Sequence, residues 1–391
     1  MISIKQKQDC CGCYGCVSIC PKNCISMEKD SEGFWYPTVD TSACVNCGAC
    51  ERACPILNPF EKSKSDICSV YAAYTKNEQV RFQSSSGGLF TEIATYVISQ
   101  GGVVFGATFD ERFNIVHTYT ETLDGLEDLR GSKYVQSKIG NAYSVALKFL
   151  KQGRLVLFTG TPCQIEGLLS FLKRDYENLL TQDIICHGVP SPMVWEKYIE
   201  YREEQSECDT KRIFFRHKRQ GWKNFSVNFV FKNHTEYIET LKKDPYMRGF
   251  LSDMCLRPSC YNCHFKSKER KSDFTLADFW GIQNICPEMD DDKGTSLVFV
   301  NSDKGAKIFD AIKDSIVIKE VEADKAICFN SAMIKSAHKP KQRENFLGDM
   351  QAHDFPQVIQ KYCKTNILKM VCRKLYSGMK KIKRIKNEKH L

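Results

Sequence analysis

Three cofactor signatures are missing from this sequence. There is no G-x-G-x-x-G turn and no G-x4-G-K loop followed by Ser or Thr, so neither a nicotinamide nor an ATP site is supported by motif. The C-x3-C-x2-C run of radical S-adenosylmethionine enzymes is absent too, which disfavours radical chemistry or a transferase built on it. Long apolar runs are also lacking. The longest uncharged stretch, Ile93 to Phe109, falls short of the roughly 20 residues of a membrane helix and is interrupted by Gly101 and Gly102. It reads as a helix, a turn and a strand, and no transmembrane segment is expected. Met1 to Lys7 holds no apolar core of a secretory signal, so a cytoplasmic protein with reduced thiols is the expectation.

What is present is cysteine: 21 residues in a chain of 391, of which 42% are hydrophobic, enough to fill the cores of two or three domains. The net charge of +9 is unevenly placed. Lys369 to Leu391 carries nine Lys and Arg against one Glu, leaving residues 1–368 close to neutral at +1. The body therefore lacks the basic face that nucleic-acid binding requires. The tail reads as a solvated basic helix, or as a docking segment for a partner or an anionic surface.

The chain divides by composition. Residues 1–60 form a cysteine-rich unit with an internal repeat, and Asn58 to Ser65 is a polar, turn-rich linker. From Val70, strand-like runs (Val70–Tyr74, Val103–Phe109, Ile115–Thr120, Leu155–Thr159) alternate with helical ones (Gly87–Ser99, Gly140–Lys151, Pro162–Lys173). The expected fold is an α+β ferredoxin-like two-cluster module followed by an α/β catalytic domain with a mixed sheet over 66–368, then the basic tail 369–391. The strands Ile213–Arg216, Phe225–Phe231 and Thr235–Thr240 are placed in the same catalytic unit.

Cys10, Cys13, Cys16 and Cys20 have the spacing C-x2-C-x2-C-x3-C-P, and Cys44, Cys47, Cys50 and Cys54 repeat it. Three thiolates on one tight loop suit three irons of a cubane, while the fourth points to the other cluster. The expected sets are Cys10, Cys13, Cys16 and Cys54 for one 4Fe-4S cluster and Cys20, Cys44, Cys47 and Cys50 for the other. Structural zinc, which pairs two C-x2-C knuckles across a longer gap, fits less well. Cys11 and Cys24 fall outside the pattern and read as packed thiols.

In the second domain, Ser85, Ser86, Gly87 and Gly88 open a helix. They suit either an anion at its N-terminus or a plain Ser cap with packing glycines. Thr161 is placed to cap the helix that follows strand Leu155–Thr159, with Pro162 at its first position and Cys163 in its first turn. A thiol there has a lowered pKa, suiting a nucleophile or a metal ligand. The strand containing Asp183 ends in Cys186 and His187, and Cys260 and Cys263 form a C-x2-C knuckle. These four cysteines suit a zinc site, a third iron-sulfur cluster or separate buried thiols. A third cluster is favoured, because a reaction centre in the large domain needs a wire from the first module.

The motifs Ser85-Ser-Gly-Gly88, Gly131-Ser-Lys-Tyr-Val-Gln-Ser137, Phe158-Thr-Gly-Thr-Pro-Cys-Gln164, Cys186-His-Gly-Val-Pro-Ser191, Tyr246-Met-Arg-Gly-Phe250, Leu256-Arg-Pro-Ser-Cys-Tyr-Asn-Cys263 and Asp273-Phe-Thr-Leu-Ala-Asp-Phe-Trp-Gly281 together resemble the beta subunit of coenzyme F420 hydrogenase and dehydrogenase. The resemblance runs from the first cysteine to about Val300. It implies FAD, a cluster in the catalytic domain held by Cys163, Cys186, Cys260 and Cys263, with Cys255 a spare, and hydride exchange with a deazaflavin or another organic acceptor or donor. Family relatives include reductases of chlorophyll-type substrates and proteins found beside polysaccharide genes.

The expected activity is that of an iron-sulfur flavoenzyme served by a redox partner protein or ferredoxin. Ser85, Ser86, Gly87 and Gly88 would hold the flavin pyrophosphate, with Lys133 and Thr161 nearby. His187, Asp278 and Lys133 are candidate proton donors or orienting groups. Each has a plainer reading: a strand-end cap, a loop anchor before Trp280, a surface charge. The rival function is a non-catalytic electron carrier or docking subunit that serves a partner enzyme.

Overall fold

The computed structural model describes residues 1–59 and 69–363. The basic tail Lys369–Leu391 and most of the linker Asn58–Ser65 lie outside the described residues.

The cysteine repeat builds a small pseudo-symmetric unit. Each half is a cysteine loop leading into a single helical turn, α1 (Gly15–Ser18) and later α2 (Ala49–Arg52), each preceded by a left-handed residue, Tyr14 and Gly48. Between them β1 (Ile25–Lys29) and β2 (Trp35–Val39) pair antiparallel, with Ile25 opposite Val39.

The large domain continues with β3 (Ser69–Thr75), α3 (Glu78–Gln83), α4 (Leu89–Ser99), β4 (Val103–Phe109), β5 (Ile115–Thr120), α5 (Leu126–Leu129), α6 (Ala142–Lys151), β6 (Val156–Thr159), α7 (Pro162–Leu172) and β7 (Leu179–Ile184). After an excursion through α8 (Pro192–Ser206), β8 (Thr210–His217), β9 (Ser226–Phe231), β10 (Glu236–Thr240) and α9 (Pro245–Leu251), the chain returns as β11 (Phe274–Asp278), α10 (Ile282–Ile285), β12 (Ser296–Val300), α11 (Asp303–Ala311), β13 (Ile316–Glu320) and α12 (Ala323–Cys328). Helices α13 (Arg343–Ala352) and α14 (Phe355–Tyr362) follow.

Eight of these strands form one sheet in the order β13-β3-β12-β11-β7-β6-β4-β5. Strands β11, β7, β6 and β4 are mutually parallel. β12 runs antiparallel to both β11 and β3, so β3 points the same way as the parallel set. The carboxyl ends of five strands therefore share one edge, where open α/β sheets place ligands. Every side chain of β12 is buried, as expected of a strand covered on both faces. Helix α4 packs its buried residues Leu89, Ile93, Ala94 and Val97 on one face with Val104, Leu157 and Leu180. On the other face lie Tyr143 and Ala146 of α6 and Ile165 and Leu168 of α7, against Phe105 and Phe158.

Strands β8 to β10 do not join this sheet. They form their own three-stranded antiparallel sheet, whose Phe215, Val227 and Phe229 pack on Trp195 and Tyr198 of α8, Tyr246 and Phe250 of α9, and Phe346 and Phe355 near the C-terminus. That aromatic set is a second core, to which Ile115 and Val135 of the main-sheet region also contribute. The helix at 87–99 begins at Leu89 and is capped by Gly88 in the left-handed region, with no serine side chain capping it.

Candidate functional site: three cysteine-lined cavities in series

The first module contains two cavities. The outer one is lined by Cys20, Cys44, Cys47 and Cys50, with Met1, Cys24, Val45 and Asn46; Cys47 is exposed to solvent. The inner one is lined by Cys10, Cys13, Cys16 and Cys54, with Cys11, Tyr14 and Ile56. In each set the fourth cysteine comes from the opposite half of the repeat. Cys24, outside the repeat, lies 3.4 Å from Cys20, sulfur to sulfur.

A third cavity lies on the catalytic domain and is lined by Cys163, Cys186, Cys260 and Cys263, together with Cys11, Ile56, His187, Lys266 and Arg270. Its position follows from the sheet. Cys163 stands in the first turn of α7 just past β6, and Cys186 just past β7, two adjacent parallel strands. The start of α7 is fixed by Thr161 at the cap and Pro162 at the first position, with the Gln164 side chain accepting from the Thr161 N–H at 2.9 Å. The Thr161 hydroxyl sits 3.1 Å from Cys163 Sγ. Cys260 Sγ accepts from the Val189 N–H at 3.4 Å. Cys255 lines none of these cavities and is buried in the aromatic core.

Cys11 and Ile56 line both the inner and the third cavity. The Cys11 thiol is within hydrogen-bonding reach of both Cys13 and Cys163. That hydrogen bond draws the Cys163 thiol down to about 7, while burial pushes Cys260 up to about 12 and Cys186 and Cys263 upward as well. Buried thiols of this kind are unfavourable as bare thiolates and suit a cationic metal centre. Among the described residues no three His, Cys, Asp or Glu side chains converge on a single-ion spacing; each set rings a volume instead. The donor chemistry and the ringed cavities fit clusters of iron and sulfide.

The remaining candidates spread along the same carboxyl edge. Ser85 accepts two hydrogen bonds from Ser132, through its N–H at 2.7 Å and its hydroxyl at 2.8 Å. Lys133, next in sequence, is half-buried, donates to the carbonyls of Asp128 and Arg130, and is pushed by burial down to about 7. Ser86 donates to the Thr295 carbonyl, and the Gly87 N–H is taken by the Ser296 hydroxyl. A Cβ at Gly87 would stand 2.4 Å from the Ala73 carbonyl oxygen, and one at Gly88 2.6 Å from Thr75 Cγ2, so packing alone demands these glycines. The groups left to meet a flavin pyrophosphate are Ser85, Lys133 and the uncapped first turn of α4. His187 does not stand alone: its Nε2 lies 2.6 Å from Asp253, and its ring meets Phe250 edge-on. Asp278 is clamped by both terminal nitrogens of Arg216 and by Trp222 Nε1, and Trp222 stacks on Trp280 at 5.0 Å.

Several residues at the site carried no role in the sequence reading. Lys266 donates to the carbonyls of Cys186 and Ala332, and Arg270 lies 3.6 Å from buried Asp183. Arg257, inside a motif already noted, reaches from the third site to the first module. His117, with its Nε2 at the Thr159 carbonyl and its buried Nδ1 unpartnered, stands beside the same edge. Lys266, Arg257 and Arg270 stand within a few positions of a cysteine and His117 far from any, and no spacing rule exposes either kind.

A two-cluster ferredoxin module feeding a cysteine-lined cavity on a mixed α/β sheet defines an iron-sulfur oxidoreductase subunit. Family models agree and carry the assignment further. A 4Fe-4S dicluster domain matches residues 9–57, and the N-terminal and C-terminal models of the coenzyme F420 hydrogenase/dehydrogenase beta subunit match 70–143 and 153–326. The chain belongs to that family, carries iron-sulfur clusters, and is an oxidoreductase subunit of F420 hydrogenase/dehydrogenase type. Among curated relatives, a subunit of the F(420)H(2) dehydrogenase of Methanosarcina mazei is 24% identical over 329 residues, 81% of this chain and 85% of the relative. A 7Fe ferredoxin of Hydrogenibacillus schlegelii is 42% identical over 41 residues, 10% of this chain and 46% of that one. A chain of the F420-reducing nickel-iron hydrogenase complex of Methanosarcina barkeri aligns at TM-score 0.46 and 16% identity, covering 67% of this chain and 89% of that chain. No helix among the described residues is long and apolar enough to cross a membrane.

Proposed function

We propose that this protein is an FAD-dependent iron-sulfur oxidoreductase in which Cys20, Cys44, Cys47 and Cys50 hold an outer 4Fe-4S cluster, Cys10, Cys13, Cys16 and Cys54 an inner one, and Cys163, Cys186, Cys260 and Cys263 a third. The observation that carries the reading is the sharing of Cys11 and Ile56 by two neighbouring cysteine-lined cavities, which makes a wire of three stations ending at the sheet edge. Clusters supply single electrons, and flavin converts between single electrons and a hydride.

The chain's own residues hold and orient. Ser85, Thr161 and the uncapped first turn of α4, which Ser86, Gly87 and Gly88 lead into, form the flavin side of the edge. Lys133, with an amine near 7, holds or releases a proton at Nζ close to neutrality. The pairing of His187 with Asp253 fixes the imidazole beside the third cavity. Asp278 orients through Arg216 and Trp222, since its carboxylate is already engaged. The organic partner is a hydride acceptor or donor, with coenzyme F420 favoured by family and by the name of the Methanosarcina mazei relative. The names of the relatives also favour a redox partner protein or a place in a larger complex.

The test is anaerobic analysis of iron, sulfide and released flavin. About twelve iron and twelve sulfide atoms follow from three four-iron clusters, with one flavin per chain. Cys260→Ser should lower iron by about a third and stop reduction of flavin, while Cys208→Ser should do neither. A protein with about eight irons and no flavin is the electron carrier of the rival reading.

A further inference from the structure

Arg257 ties the first module to the segment that carries Cys260. Its backbone belongs to the catalytic domain: its N–H donates to the Val189 carbonyl at 2.9 Å, and its own carbonyl accepts from the Cys260 N–H at 2.9 Å. Its side chain belongs to the other side. Nε donates to the Cys10 carbonyl at 2.9 Å and Nη2 to the Trp35 carbonyl at 3.0 Å, while Nη1 donates to the Gln136 amide oxygen at 3.2 Å. The guanidinium lies 4.2 Å from the Tyr36 ring centroid and 5.5 Å from that of Phe34. Gly12, in the cysteine loop, has its φ at +69°, and a Cβ there would stand 3.1 Å from Arg257 Cζ. The loop has no side chain at its closest approach.

The residue is 0% exposed, yet all three hydrogen bonds go to neutral acceptors. A buried cation without a counter-charge costs several kcal/mol. The groups whose negative charge would act on it are Cys10, Tyr36 and Cys11 on one side and Cys260 on the other. Three other buried arginines are paired with carboxylates, Arg81 with Asp291, Arg216 with Asp278 and Arg343 with Glu32, whereas buried Arg202 lies over the rings of Tyr201 and Tyr237. Arg257, which is fully buried, has its carbonyl and amide acceptors where two cysteine sets meet.

We propose that Arg257 is the electrostatic positioning residue of the junction between the inner and third clusters, offsetting the negative charge of both and raising both reduction potentials. The proposal rests on the third-cluster reading. A fixed positive charge stabilises the added electron on either side, while the outer cluster, whose cysteines are not among the groups acting most strongly on Arg257, is unaffected.

The experiment is an anaerobic EPR-monitored redox titration of the full chain as wild type, Arg257→Gln and Arg257→Lys, with iron counted in each. In Arg257→Gln two of the three midpoints should fall by at least tenfold in the one-electron equilibrium, about 60 mV, with the third unmoved. Arg257→Lys, which keeps the charge and loses the fork, should return both to within about twofold of wild type. A residue that only glues the modules together would leave potentials unchanged in Arg257→Gln. Twelve irons with no midpoint moved, with one moved or with all three moved alike overturns the junction. If Arg257→Gln loses iron, Arg257→Lys decides, and its losing iron too overturns the charge role. A wild type with eight irons overturns the third cluster and this proposal together, a result the iron count identifies by itself.

Discussion

Glu32→Ala should loosen the ferredoxin module from the catalytic domain without touching a cysteine. Glu32 sits in the loop between β1 and β2, and its two oxygens accept from Arg343 Nη1 and Nη2 at 3.1 and 2.7 Å. Arg343 is 2% exposed and Glu32 15%. The same guanidinium donates twice to the Leu256 carbonyl, at 3.1 and 2.8 Å, one residue before Arg257. Removing one partner of such a pair strands a buried charge, at a cost of about 3–5 kcal/mol. The partial exposure of Glu32 sets the low end, about 3 kcal/mol, or roughly a hundredfold in the opening equilibrium. Cluster proteins unfold irreversibly once iron is lost, so the assay is a half-life: anaerobic bleaching of cluster absorbance at a fixed elevated temperature. Glu32→Ala should shorten it by about two orders of magnitude. Glu32→Leu with Arg343→Leu should recover most of the loss, because well-packed apolar pairs replace buried ion pairs at little cost. A half-life within threefold of wild type in Glu32→Ala would refute the reasoning.

Two further outcomes are expected. Asp244, buried with Tyr198 and Tyr237 on its carboxylate, is raised by burial from 3.8 to about 6. The folded state then holds a proton that the unfolded state releases, so stability falls as pH rises from about 4 to 6 and levels off above. Asp244→Asn keeps the acceptor for the Met247 N–H and should flatten the slope read between pH 4 and 6, gaining up to about 3 kcal/mol at pH 7; an unchanged slope would count against a raised Asp244. Gly87→Ala should destabilise the fold by about 1–3 kcal/mol or more, since its Cβ would meet the Ala73 carbonyl oxygen and the Ser296 N at 2.4 and 2.8 Å. Unaltered thermal stability would show that the close contact relaxes freely.

What the sequence exposed and what it concealed follow from the range of each signal. The cysteine repeat is local, and its geometry is written in its spacing; so is the start of α7, where Thr161, Pro162 and Gln164 are consecutive or nearly so. Strand positions in the main sheet were legible from apolar runs, because buried parallel strands have little else in them. That β8 to β10 build a sheet of their own was not, since an alternating strand carries no label for which core it enters. The serine-glycine loop read equally well as an anion site or as packing. Only the approach of Ala73 and Ser296 shows how much of it packing takes. Arg257 was visible inside a motif, but its reach to Cys10 spans 247 positions of sequence, and no periodicity encodes such a contact.

The arrangement of the cavities bears on whether the chain carries electrons or uses them. A docking subunit needs its last station at a surface where a partner can approach. The outer site has that character: Cys47 is exposed, with Val45 beside it 57% exposed. The third cavity has no exposed cysteine; its four are half-buried. It stands where β6 and β7 end, next to Thr161 and His187 and on the same strand edge that carries Ser85 and Asp278. Carboxyl edges of parallel strands are where α/β folds gather ligand-binding groups. Under the proposed three-cluster arrangement the inner end of the wire lies on such an edge, and that placement favours an enzyme over a carrier.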